Sequence, residues 1–217
     1  MRSNFTRQWI TKVSIGEAAG FAIAAGTGIM TILLYLELPW SLVLIVLAGA
    51  VEGAALATGQ YLAMHEHRPK PGPWIGGTAA AASFAWLLGM LPSILELQFD
   101  SVATILLVVL GGLVLLGSIP FAQWLVMRRR GTFRWVPINM GAWLVAILWT
   151  AAPSPFIDES SPIALVATLY LLAGILMAVT IASITAPVAR QLFGRSEPSR
   201  DWRSRMHKRA AAECRGP

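Results

Sequence analysis

Few side chains in this chain could do chemistry in an apolar setting, and Glu52 stands first among them. It lies at the middle of a long apolar run, Trp40 to Met64, where an ionisable side chain costs at least about 2.5 kcal/mol. None of the 17 Lys and Arg residues shares that depth, so the side chain is expected to be held as the neutral acid. In that form it can donate a hydrogen bond or exchange a proton. Thr27 and Ser83, at similar depth in the flanking runs, are its expected partners. Gln60 and Gln123 each stand about one turn from the end of a run and are expected to face the interior, bonded across helices. Asn139 supplies a third amide. These six residues are the candidates for a ligand or ion pathway. The competing reading makes each of them glue between helices, since lone intramembrane polar groups serve that purpose too.

A second kind of chemistry is suggested by His65-Glu66-His67, which has the look of a metal site. One short loop gives at most three ligands, and no other part of the chain has the spacing to complete a coordination shell. His65 and His67 are therefore a weak metal candidate, and a solvated loop is the preferred reading. No nucleophile elbow, phosphate-cradling glycine loop, zinc-protease helix or paired-carboxylate site is present in the sequence, and no cofactor is expected.

The elements that carry these residues are legible from a recurrence. Gly49, then Gln60-Tyr-Leu-Ala-Met64, a loop, and a run from Trp74 to Pro92-Ser93 are matched by Gly112, Gln123-Trp-Leu-Val-Met127, a loop, and a run from Trp135 to Pro153-Ser154. The units 49–93 and 112–154 read as tandem parallel-repeat helical hairpins. In the second unit Leu115 takes the place of Glu52, and Pro120, expected to bend its helix, takes the place of Ala57. Trp9 matches Trp74 and Trp135 loosely, so the last and first runs could form a third, degenerate hairpin that closes a ring; an open arrangement is the favoured alternative.

Composition places these hairpins in a membrane: 56% of the 217 residues are hydrophobic and 13% charged. Runs of about 20 apolar residues span a hydrocarbon core, and six are present: 15–36, 40–64, 74–91, 102–127, 135–152 and 163–188. Strand-like alternation is absent, so the fold class is all-α and polytopic, with six transmembrane helices over residues 1–189 and a basic tail over 190–217. The first run resembles a signal peptide at its start, but its length and its continuation to Leu36 favour a retained helix. Met1 to Lys12 reads as a basic entry segment, and Glu17 as a residue near that end that snorkels toward Lys12.

The net charge of +6 does not indicate nucleic acid, because of where the cations lie. All 17 fall in the N-terminal segment, the second and fourth loops and the tail, whereas the first, third and fifth loops carry acids alone. That asymmetry predicts both termini in the cytoplasm. Trp202, Met206 and Ala210 recur every fourth residue, so the tail either forms a helix on anionic lipid or stays disordered. The single cysteine, Cys214, excludes an intrachain disulfide.

Gly59-Gln60-Tyr61 and Ala122-Gln123-Trp124, with Trp74 and Trp135 after the loops, resemble a group of uncharacterised bacterial multi-pass membrane proteins. The likeness covers about the central half of the chain, implies a bacterial inner membrane, and brings no activity with it. Three functions follow as expectations. The first is a non-enzymatic membrane subunit or a lipid- or ligand-binding module, with the bilayer, a membrane protein partner or a second copy as partners. The second is a small proton-coupled transporter or permease using Glu52. The third, an enzyme acting at the membrane interface through His65, Glu66 and His67, has the least behind it.

Overall fold

The computed structural model describes residues 2–158 and 160–194, and the expected helix in the tail lies outside them. The described chain runs α1 (Arg2–Leu33), α2 (Leu38–Ala63), α3 (Pro71–Ile94), α4 (Val102–Met127), α5 (Trp135–Ala146), α6 (Leu148–Ala151) and α7 (Ile163–Phe193). Two single 3-10 turns, Thr132–Arg134 and Ser154–Phe156, flank α5 and α6. Six helical stretches are long and apolar enough to cross a membrane, the fifth being Thr132–Phe156 with its break at Ile147. Among the described residues there is no strand, as expected of a chain in which a lipid setting leaves backbone groups no water to bond.

Helix ends follow the local chemistry. Pro39 and Pro71 occupy the first turns of α2 and α3, where a missing N–H costs nothing. Ser101 caps α4 by accepting from the Thr104 amide at 3.1 Å. At the other end of α2, the Lys12 ammonium donates to the Leu62 carbonyl at 2.8 Å, and Arg68 Nε donates to Met64. Asp158 holds the turn before α7 by accepting from the Ser160 amide and from both serine hydroxyls, which lowers its carboxyl below the usual range.

Three boundaries differ from the sequence reading. The basic entry segment is not separate from the first span, because helix α1 begins at Arg2. Pro120 lies inside the single helix α4, and the fifth span is interrupted at Ile147. Helix α7 carries on through Pro187 to Phe193, so Arg190 belongs to a helix and not to the tail.

Each helix packs on its successor, and α7 packs back on α1, so the six spans form a closed ring. The ring is tightest at its first pair. A Cβ on Gly20 would lie 2.7 Å from the Glu52 Cα, and Gly16 and Gly59 bring the same two backbones together on either side. Gly49 receives the Trp86 ring in the same manner, and Gly174 receives Phe21, whereas nothing approaches Gly112 within 4 Å. The outward faces carry exposed Leu, Ile and Val, most fully on α4, where Leu106, Leu107, Leu110, Leu113 and Val114 all point away from the bundle.

Candidate functional site

Toward the basic end the ring is filled by a dense layer. Trp9, Trp74 and Trp135, from α1, α3 and α5, are fully buried and gather around Phe193 at centroid distances of 6.2, 6.2 and 5.9 Å. Each indole N–H finds an acceptor on a neighbouring helix, as a buried tryptophan must. Trp9 donates to Thr185 Oγ1 at 3.1 Å, Trp74 to the Ala57 carbonyl at 3.2 Å, and Trp135 to Gln123 Oε1 at 2.8 Å. Gln123 Nε2 in turn donates to Gln60 Oε1 at 2.8 Å and to Thr78 Oγ1 at 3.1 Å. Two amides and a tryptophan therefore tie α2, α3, α4 and α5 into one network.

Gln123 is the hub of that network and Gln60 a spoke, so the two glutamines are not equivalent. Interhelical bonds in membranes average about 0.6 kcal/mol each. Gln123→Leu breaks three and should cost about 2 kcal/mol in an SDS-unfolding titration, against less than about 1 kcal/mol for Gln60→Leu. Equal costs would contradict this assignment.

Above the layer, from mid-bundle toward the acidic end, lies a cavity of about 530 Å³ to which all six spans contribute. Phe21, Leu56, Leu115, Ile119, Met177 and their neighbours give it an apolar wall. Glu17 and Glu52 stand at its inner end. The Trp86 indole donates to Glu52 Oε2 at 2.6 Å. Glu17 is 0% exposed and faces the Glu52 carboxyl across the α1–α2 seam, and beyond that acid no N–H or hydroxyl reaches either of its oxygens.

The positions that line the cavity recur with the tryptophans. Eight residues beyond Trp9, Trp74 and Trp135 stand Glu17, Ala82 and Trp143, and twelve beyond stand Phe21, Trp86 and Ile147, all in the wall. On the even spans Glu52, Leu115 and Met177 line it as well, and both acids lie on the α1–α2 side.

Of the candidates read from sequence, Glu52 lines the cavity while Gln60 and Gln123 lie in the layer beneath it. Thr27 and Ser83 do not bond Glu52. The Thr27 hydroxyl donates to the Ile23 carbonyl of its own helix, and Ser83 donates to the Val46 carbonyl. For Thr27 the preceding turn of its own helix is the nearer acceptor, whereas Ser83 meets a backbone carbonyl of the neighbouring α2. Asn139 is buried and donates to the Trp135 carbonyl one turn earlier. His65 contacts Gln8 Oε1 at 3.0 Å, and among the described residues no group of three metal-binding side chains exists. Glu17 does not snorkel. Because α1 starts at Arg2, Glu17 sits mid-helix, and Lys12 turns away from it to Leu62.

Two site residues, Glu17 and Trp86, were missed by the sequence reading. The signal for Glu17 was its spacing of eight residues from Trp9, the same as that of Ala82 from Trp74 and Trp143 from Trp135. No family model matches the chain, and neither the curated proteins nor the solved structures yield a match.

Proposed function

We propose that this chain is a non-enzymatic integral membrane protein that binds an apolar or amphipathic small molecule inside its helical ring. The central cavity carries this reading. Its volume of about 530 Å³ falls in the range of small-molecule sites, about 300–1,000 Å³, and its wall is apolar with a few convergent polar groups. A ring held together by packing alone would need no chamber of that size.

On the positive-inside argument the basic end faces the cytoplasm, so the cavity extends from mid-membrane toward the outer leaflet. A bacterial inner membrane is the proposed setting. The buried layer of Trp9, Trp74, Trp135 and Phe193 then separates the ligand from the cytoplasm. We infer further that the matching positions of the three helix pairs, α2–α3, α4–α5 and α7–α1, descend from one repeated hairpin. A second reading, a proton-coupled carrier, draws on the facing Glu17 and Glu52 carboxyls, since intramembrane acids without a cationic partner serve proton relays. Repeats of the same orientation are compatible with carriers built from parallel repeats.

Topology is tested by single cysteines on a Cys214→Ser background. At Ser93 and Ser160, both exposed at the acidic end, they should react with an impermeant thiol reagent from outside. One at Arg129, exposed at the basic end, should react only after lysis. The reverse pattern would invert the orientation. For the function itself, the protein should be extracted into native nanodiscs and released intact in a mass spectrometer. A single retained species of defined mass, lost in a cavity-filling Ala85→Trp variant, is the expected result. A stoichiometric polypeptide with no small molecule would favour a structural subunit and overturn the proposal.

A further inference from the structure

The α1–α2 seam presses two acids into the inner end of an apolar chamber and gives one of them no partner but the other acid. Gly16 and Gly20 flank Glu17 and set its backbone against Ala55 and Glu52, so Glu17 is held where it is and cannot swing out to lipid or water. Two acids held together away from water are costly unless a donor or an opposite charge satisfies them. Native structures tolerate such a group where a ligand completes it.

We propose that Glu17 and Glu52 together bind the cationic head of an amphipathic amine whose apolar body lies along the central cavity. The inference rests on the cavity being a ligand site and names the class of ligand it takes. An ammonium group carries three donors and one positive charge, which matches two facing carboxyls of which one oxygen is already occupied by Trp86. Among the described residues no cation lines the cavity. Among the cavity-lining residues of α3 through α7 the one titratable group is Tyr170, and Lys12 on α1 is bonded to Leu62. Phe21, Trp86, Trp143 and Tyr170 put four aromatic rings in the wall, a surface suited to the hydrocarbon body of such an amine. A small inorganic cation is a poorer match, because calcium seeks six to eight oxygen ligands and the walls beyond the two carboxyls are apolar.

The test uses two probes of one shape, 1-adamantanamine, which is a cation at neutral pH, and neutral 1-adamantanol. Each is titrated calorimetrically into the full chain in nanodiscs, with empty nanodiscs subtracted. The amine should bind at least about tenfold more tightly than the alcohol, the equivalent of about 1.4 kcal/mol. In Glu17→Gln that advantage should fall to less than about threefold while the affinity for the alcohol holds. Glu52→Gln reads the same difference if Glu17→Gln does not yield folded protein. Saturable binding of the alcohol with no preference for the amine would overturn this proposal and leave the cavity reading standing. An amine preference that survives in both variants would place the cation elsewhere and overturn it as well. Saturable binding of neither probe would sink both readings.

Discussion

Gly20→Leu should prevent the ring from assembling, and among single changes in the membrane-embedded region it should be among the most damaging. A leucine side chain at that position starts with a Cβ 2.7 Å from the Glu52 Cα and 3.0 Å from its carbonyl oxygen. Both are backbone atoms, so no rotamer change relieves the clash, and α1 must move off α2. Overpacking that a side chain can absorb costs about 1–3 kcal/mol. Here the two helices separate along the seam from Gly16 to Gly59, and a loss of more than about 3 kcal/mol is expected. Gly26→Leu is the control, because nothing lies within 4 Å of Gly26. An SDS-unfolding titration of the two variants should show Gly20→Leu unfolded in mild detergent and Gly26→Leu close to the parent protein. Similar midpoints for both would mean that the α1–α2 contact is not close.

Trp135→Ala should be nearly as costly, for a different reason. The indole is fully buried between Trp9, Trp74 and Phe193, and its removal leaves a hole that three other rings cannot fill. Large-to-small changes of this type cost about 3–5 kcal/mol. The loss also strands Gln123 Oε1, which accepts from the Trp135 indole N–H. Trp135→Phe separates the two effects, since it keeps most of the ring volume and drops the hydrogen bond. Its cost should be about 1 kcal/mol, and the gap between the variants measures packing in the layer. A gap of less than about 1 kcal/mol would show that the layer is loose.

These outcomes bear on how far the sequence alone could go. Six apolar runs were enough for the number and class of helices, because span length and composition respond directly to the bilayer. Gln60 and Gln123 were legible as interior residues, since an amide one turn inside an apolar run has few other places to go. Which side chain each polar group would choose was not legible. Thr27 and Ser83 share the depth of Glu52, but depth is one coordinate of three, and both hydroxyls bonded backbone carbonyls instead. Glu17 was misplaced because charged residues at Arg2, Arg7 and Lys12 hid the helical start of α1. Ring closure depends on α7 meeting α1, a contact between the ends of the chain that no local pattern encodes. Trp9 was its trace in the sequence.

Whether the cavity takes an apolar ligand is the claim on which the rest depends, and equilibrium binding of a neutral fluorophore tests it most directly. N-phenyl-1-naphthylamine should be titrated against the protein in nanodiscs, beside Ala85→Trp, which fills the chamber, and Val114→Trp, which points into lipid from α4. The account predicts saturable, one-to-one enhancement for the parent chain and Val114→Trp, and none above empty nanodiscs for Ala85→Trp. Non-saturable uptake of the same size in all three proteins and in empty nanodiscs would contradict it.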